Sequence, residues 1–346
     1  MQDLVDCKEI IHSCSKCGLC QSVCPVYKIT GNDCTVSRGH FIMLYGMIKG
    51  KLKMSKTINR YLDLCLKCGA CSKFCPSEID VVDIIAFAKA EYFKVHHWEK
   101  FISFFQKHFV FGLGLNILKI FSKNKKSKKF DKKVLYFGGC GTKINGNSSV
   151  VKILNACQIE VITPDFECCG IPFYVRGDLN NYEKYKKSFK EKIEKYGITD
   201  IVTTCASCEK TLKSYKLENI KIKNIFEYIR ENNLEISLKK HEKITFHKPC
   251  NLNNYDDIKY ILNNTNNLEY IEMNDFDKCC GLNGVSKLKE YKIMSKIFSD
   301  KHKNIIDSGA KTVLTSCLGC EFILKTFSLN KYRVYDLTSF LAKNIE

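Results

Sequence analysis

Two sets of five cysteines repeat one another through the C-terminal two-thirds of this 346-residue chain. The first is Cys140, Cys168-Cys169 and Cys205-x-x-Cys208; the second is Cys250, Cys279-Cys280 and Cys317-x-x-Cys320. Corresponding members are offset by 110, then 111, then 112 residues (140 to 250, 168 to 279, 205 to 317). Spacing kept this closely implies two copies of one structural unit. Each copy brings one thiol more than a four-thiolate cluster site uses.

A second pair of motifs lies nearer the start. Residues 14–25 read CSKCGLCQSVCP and residues 65–76 read CLKCGACSKFCP, both C-x2-C-x2-C-x3-C-P. This is the run by which bacterial-type ferredoxins hold two [4Fe–4S] clusters, the fourth cysteine of each run crossing to the other cluster. Cys14, Cys17 and Cys20 are therefore expected with Cys75, and Cys65, Cys68 and Cys71 with Cys24. Pro25 and Pro76 end the runs and turn the chain. Of the 21 cysteines this leaves Cys7, Cys34 and Cys157, which are read as buried free thiols.

Cysteine makes up about 6% of the chain (21 of 346). A disulfide framework fits poorly, because disulfide-dense proteins are usually small and secreted. The first residues, MQDLVDCKEIIHSC, carry acids and no apolar signal-like core, so a cytoplasmic chain is expected. Structural zinc prefers isolated C-x-x-C pairs to triplets followed by Cys-Pro. Iron–sulfur ligation remains. The formal charge of +18 could suit nucleic acid, but no readout motif accompanies it, and no nucleic-acid partner is expected. Thiolate-bound clusters carry negative charge that the count omits.

Along the chain, residues 1–92 form the ferredoxin-type unit. The 40 residues between Cys24 and Cys65 include SRGHFIMLYGMIKGK and TINRYLDL, both with helical apolar spacing, and VVDIIAFAKAEYF (81–93) continues as a helix. Residues 93–133 form a linker. Within FISFFQKHFVFGLGLNILKIF (101–121), the longest stretch without charged residues is His108–Leu118. That is shorter than the roughly 20 apolar residues needed to span a bilayer. Seven lysines follow in SKNKKSKKFDKK (122–133). Such a segment can lie in a membrane interface, each lysine adding about 1 kcal/mol near an anionic surface. A core helix followed by a solvated loop is the other reading.

Residues 134–238 and 239–346 hold the repeats. The first offers strands KVLYF (133–137), EVITP (160–164), DIVTT (200–204) and NIKIKN (219–224); the second offers KITFH (243–247), LEYIEM (268–273), TVLTS (312–316) and YRVYD (332–336). Helical stretches lie between them, such as 181–197 and 287–309, ending at Gly197 and Gly309, each a plausible C-cap. Strands alternating with helices imply parallel sheets. The expected fold is α+β multidomain: a mostly helical 2×[4Fe–4S] ferredoxin domain, then two repeated α/β parallel-sheet domains related by pseudo-twofold symmetry. The cysteines then follow strand ends. In an open parallel sheet that edge is where ligands bind, so each set is expected to converge on one site.

The pattern C-xn-CCG-xn-C-x-x-C, present as Cys168-Cys169-Gly170 and Cys279-Cys280-Gly281, resembles the cysteine-rich CCG domain. That domain occurs in the heterodisulfide reductase B subunit. It also occurs in iron–sulfur subunits of glycolate oxidase, lactate-utilisation enzymes and anaerobic glycerol-3-phosphate dehydrogenase. The resemblance implies up to two further [4Fe–4S] clusters, noncubane in the heterodisulfide reductase B subunit, held by Cys140, Cys168, Cys169, Cys205, Cys208, Cys250, Cys279, Cys280, Cys317 and Cys320. The chain departs from relatives in slightly short gaps after Cys140 and Cys250, and in Asn251 where relatives often carry His. His247 either orients the second site or is a packed neutral histidine. Arg38, in TVSRGH, either screens a cluster's charge or lies on the surface.

No acid–base pair, nucleophile triad or glycine-rich dinucleotide fingerprint stands out, so neither a flavin nor an NAD site is evident. The leading expectation is an electron-transfer subunit of a membrane-associated oxidoreductase, peripheral on the cytoplasmic membrane. Its partners would be a flavoprotein dehydrogenase of glycolate, lactate or glycerol 3-phosphate type and a membrane surface or quinone-reactive subunit. The alternative is disulfide reduction at paired clusters, which complete five-cysteine sets favour. A redox-sensing or scaffold role ranks below both.

Overall fold

The computed structural model describes residues 4–105, 122–281 and 290–345. Contacts divide the chain into two compact units. One runs to Phe104 and adds Pro172–Tyr182 and Cys279–Asp300; the other holds Phe105–Ile171, Glu183–Lys278 and Lys301–Glu346. Of the apolar segment 101–121, residues beyond 105 lie outside those described, and with them most of the membrane-interface reading. No helix among the described residues is long and apolar enough to cross a membrane.

The first unit is helical. The insert between the cysteine runs forms the helices Ser37–Ile48 and Lys56–Leu64, as its apolar spacing predicts. Ser55 starts the second of these by accepting the Ile58 N–H on its hydroxyl at 3.2 Å. Asp80 does the same for Val81–Val95, accepting from Val82 N–H at 3.0 Å. Leu44, Leu62, Ile84 and Ile85 meet in a fully buried core. Each contributes about 1.5–3 kcal/mol by leaving water.

Both repeats lend a segment to this unit, the first just after its paired cysteines and the second from its paired cysteines onward. Gly177 lies against helix Val81–Val95, where a Cβ would come within 2.5 Å of the Lys89 carbonyl carbon. Its φ of +90° is one that L side chains rarely adopt, so glycine is required twice over. Beside it, Tyr174 donates its hydroxyl to Asp83 at 2.8 Å. From the second repeat, Cys279 and Ile297 join Val26, Leu64 and Leu66 in one apolar cluster, and Glu290 pairs with Arg60 at 2.7 Å.

The second unit holds two four-stranded parallel sheets. In the first, β1 (Lys132–Tyr136), β2 (Ile159–Ile162), β3 (Asp200–Thr203) and β4 (Lys221–Asn224) lie in the order β2-β1-β3-β4. In the other, β5 (Ser237–Phe246), β6 (Asn266–Tyr270), β7 (Thr312–Thr315) and β8 (Arg333–Asp336) lie in the order β6-β5-β7-β8. All eight strands overlap the segments that the sequence marks, β5 starting six residues earlier at Ser237, in one topology used twice. Apolar runs such as Val134–Tyr136 and Ile244–Phe246 suit a parallel sheet, which must be covered on its faces. Gly197 and Gly309 adopt φ of 62° and 72° at the ends of Leu179–Tyr196 and Tyr291–Asp307, the left-handed caps expected of them. The repeats share one core, in which Val150 and Leu154 sit in the same cluster as Leu337 and Leu341.

Candidate metal centres

In the first unit the two cysteine runs use one backbone turn. Lys16 and Lys67 adopt φ of 58° and 54°, and Gly18 and Gly69 adopt 84° and 72°. Left-handed residues in such loops turn N–H groups inward and make a concavity suited to negative charge. N–H groups already point at sulfur, among them Tyr27 to Cys24 and Lys67 to Cys65, each at 3.4 Å. Cys14, Cys17, Cys20, Cys71 and Cys75 line one cavity, with Arg38 on its wall. Arg38 also pairs with Asp33 at 2.8 Å, and its charge is among those that lower the Cys17 thiol. Cys71 has Cys65, Cys68 and Cys24 as its charged neighbours.

Burial drives the Cys71 thiol up to about 12, with Cys65 the next contributor. Burial likewise raises Cys14 and Cys24. Cys17 is lowered, first by the Leu19 N–H. Crowded, part-buried thiols resist ionising alone, and a metal ion removes that penalty. None of the 21 cysteines is tied up in a disulfide. The donor set therefore fits an iron–sulfur group. Cys7 and Cys157 are buried in the apolar cores, and Cys34 is partly buried.

In the second unit, each cysteine of the first set follows a strand end. Cys205 and Cys317 occupy the same place in their repeats, at the N-termini of helices Ala206–Ser214 and Leu318–Thr326. Cys208 and Cys320 follow within the first turn. Helix N-termini favour thiolate over thiol. Hydrogen bonds from Cys168 and Cys208 hold Cys169 well below the usual thiol range. Bonds from Cys205 and Cys320 do the same for Cys317. The bond to Cys169 raises Cys168 and Cys208. Cys140, pushed up to about 11 by burial, has Cys169 and Cys317 as charged neighbours. The first set thus forms one continuous group of thiols, and through Cys205 it reaches Cys317 of the second set. Cys250 stays in this unit, whereas Cys279 and Cys280 fall in the first.

Some contributors escaped sequence reasoning. Ser207, inside the first C-x-x-C, lies 3.9 Å from Cys317 Sγ and accepts the Asn251 side-chain amide at 3.0 Å. The departure at Asn251 thus supports a contact between the repeats. Ala206 N–H donates to Ser316 O at 3.2 Å beside it. Position within the motif was the one available signal for Ser207. A cavity opens here, lined by Tyr136, Cys140, Cys205, Cys208, Ser316 and Asp336 among others. His247 is fully buried, and its imidazole is held neutral, down to about 3, by burial and then by the Lys301 charge.

Comparison with known proteins agrees with this arrangement. A family described as a 4Fe-4S dicluster domain matches residues 10–79, and one described as a cysteine-rich domain matches residues 134–213 and 244–325. The B subunit of the CoM/CoB fumarate reductase of Methanothermobacter marburgensis is 26% identical over 97% of this chain and 71% of its own. The D subunit of the dihydromethanophenazine:CoB–CoM heterodisulfide reductase of Methanosarcina acetivorans is 22% identical over 90% and 87%. The "probable glycolate oxidase iron-sulfur subunit" of Bacillus subtilis is 21% identical over 90% and 88%. In structure, a hypothetical protein from Helicobacter pylori matches 88% of this chain and 67% of its own at a TM-score of 0.51 and 12% identity, a likeness of fold. The chain belongs to the CCG-domain iron–sulfur proteins that carry a 4Fe-4S dicluster domain ahead of two cysteine-rich repeats, and it is of the oxidoreductase iron–sulfur subunit type.

Proposed function

We propose that this chain is the component of an oxidoreductase at which a thiol–disulfide couple reacts between the two cysteine-rich sites, the N-terminal sites carrying electrons to or from them. The observation that carries the reading is the meeting of the two cysteine sets, with Ser207, inside the first C-x-x-C, 3.9 Å from Cys317 Sγ and Cys205 and Cys317 shifting one another's ionisation, beside a cavity that both repeats line. Reducing a disulfide to two thiols takes two electrons and two protons. Two adjacent sites put the delivery of both electrons on one substrate. Relatives named for CoM/CoB and for a CoB–CoM heterodisulfide support the same chemistry.

In this reading Cys14, Cys17, Cys20 and Cys75 hold one [4Fe–4S] cluster, and Cys65, Cys68, Cys71 and Cys24 hold another. The ten CCG-domain cysteines hold up to two more, of the noncubane type that the heterodisulfide reductase B subunit carries. Bound clusters supply one-electron chemistry, and the protein supplies ligands, spacing and polarity. The boundaries at residues 92, 133 and 238 are part of the same proposal.

A second reading has specific support from the Bacillus subtilis relative and the lysine run at 122–133. Here a flavoprotein dehydrogenase of glycolate, lactate or glycerol 3-phosphate type passes electrons through this chain to quinone at the cytoplasmic membrane surface. Anaerobic purification of the native complex separates the two. Turnover of a small dithiol or disulfide without quinone supports the first. Quinone reduction through a co-purifying flavoprotein, with no thiol dependence, overturns it in favour of the second.

A further inference from the structure

His247 occupies in β5 the place that Phe137 holds in β1. Backbone pairing fixes the equivalence: Phe137 N–H donates to Val202 O at 2.8 Å, and His247 N–H donates to Leu314 O at 2.9 Å. Each residue stands three before the first cysteine of its set (137 to 140, 247 to 250). Each acceptor stands three before its C-x-x-C (202 to 205, 314 to 317).

The surroundings have diverged together. Around Phe137 the first repeat is aromatic, with Phe166 at 5.1 Å and Phe189 at 5.3 Å between ring centroids. Phe189 lies eight residues before the helix-ending Gly197; eight before Gly309 the second repeat has Lys301. Phe166 lies two residues before Cys168; two before Cys279 stands Asp277. Phe137 is matched by an imidazole, Phe189 by an ammonium, and Phe166, by its distance from the paired cysteines, by a carboxylate. Lys301 is 2% exposed and donates to the Asp275 carbonyl.

His247 has no such arrangement. It is 0% exposed, and neither ring nitrogen has a hydrogen-bond partner among the described residues. Burying an unsatisfied imidazole is costly, and the first repeat shows that phenylalanine fits this position. A ring nitrogen and Cys320 Sγ nonetheless lie within 4.8 Å without bonding to one another. Nitrogen and thiolate donors sit about 2.0–2.1 and 2.3 Å from a tetrahedral metal ion. Two donors sharing one ion therefore stand about 3.5 Å apart, so modest closure brings both onto one atom.

We propose that His247 is a nitrogen ligand to iron at the second cysteine-rich site, beside Cys317 and Cys320, so that the repeats hold unlike centres: all thiolate in the first, mixed nitrogen and thiolate in the second. The inference rests on the iron–sulfur reading given above. A neutral imidazole adds no negative charge to the iron, and histidine ligation raises the potential of two-iron centres. The buried Lys301 ammonium acts in the same direction. The second centre is therefore the easier of the two to reduce.

The test uses the anaerobically purified full-length protein, grown with 15N-histidine and partly reduced. Pulsed electron magnetic resonance is expected to show a strong nitrogen coupling that scales with the isotope. It should survive Cys168→Ser, which empties only the first site, and vanish in His247→Phe. His247→Cys should keep the iron, and the midpoint potential of the second centre should fall in His247→Phe. A coupling that is absent, of hydrogen-bond strength, or unchanged in His247→Phe overturns the proposal. If His247→Phe fails to fold, the labelled wild-type spectrum decides alone. Cys317→Ser separates the two levels. Iron lost there with no nitrogen coupling in the parent defeats the ligand assignment only, whereas iron unaffected there defeats the site itself.

Discussion

The two cysteine-rich repeats share a strand order, a helix-capping glycine and a cysteine pattern, yet they fill the space behind those cysteines in opposite ways. The first packs Phe137, Phe166 and Phe189 together; the second brings His247, Asp277 and Lys301. A third divergence lies at the end of β4 and β8, where Asn224 corresponds to Asp336 at the offset of 112. Asn224 donates its amide to Glu209 at 2.9 Å, whereas Asp336 faces Glu321 as a second carboxyl. The framework that delivers thiols has been copied. The polarity around them has not, which is what two sites of different potential require.

Four changes press on that contrast. The largest effect is expected from Cys168→Ser, which should remove the iron of the first repeat and leave that of the second and of the N-terminal clusters. Iron counting with low-temperature magnetic resonance reads it, and unchanged spectra would eliminate Cys168 as a ligand. Phe189→Ala should cost about 3–5 kcal/mol in denaturant unfolding by opening the aromatic cluster. A loss under 1 kcal/mol would mean that the cluster does not hold the first repeat. Phe137→His, which writes the second repeat's residue into the first, should cost about 1–3 kcal/mol by burying an imidazole among aromatic rings. A neutral result would show that the first site also has something for a ring nitrogen to bind.

The smallest effect concerns pH. Burial, with Glu321 adding to it, raises the Asp336 carboxyl to about 7. Its folded state therefore binds a proton more tightly than the unfolded chain does. That contribution is complete below the ordinary carboxylate range and is lost as pH rises through about 7. Asp336→Asn should flatten this slope, gaining about 2 kcal/mol over the parent near pH 8 and little near pH 4. This is half of what about 1.4 kcal/mol per unit implies, because the carboxyl keeps some exposure. Asn caps a helix as well as Asp does, so the cap is preserved. Thermal unfolding of the anaerobic protein across that range decides it, and parallel slopes for both proteins would refute the assignment.

Much of this architecture was legible beforehand. Strands such as β3 and β7 could be read because they are buried β-branched runs between helices, whereas the half-exposed β4 and β6 carry a weaker signal, and Gly197 and Gly309 mark helix ends by a conformation few other residues tolerate. The cysteines announced themselves by spacing. The contact between Cys205 and Cys317 was not legible, since the meeting of two repeats is a long-range event that leaves no periodicity. The allocation of residues 172–182 and 279–300 was hidden for the same reason. Phe189 against Lys301 could have been found by setting one repeat over the other residue by residue, but only structure shows the ring nitrogens of His247 without a hydrogen-bond partner among the described residues.

Those two lent segments carry a practical consequence. Gly177 presses on Lys89, and Ile297 closes the apolar cluster of Val26, Leu64 and Leu66. A fragment cut at residue 92 would lose both covers and present bare hydrocarbon to solvent. The electron-carrying end of this protein is therefore not a cassette that can be excised or exchanged at the sequence junction, and chimaeras with other carriers must transplant three stretches of chain at once.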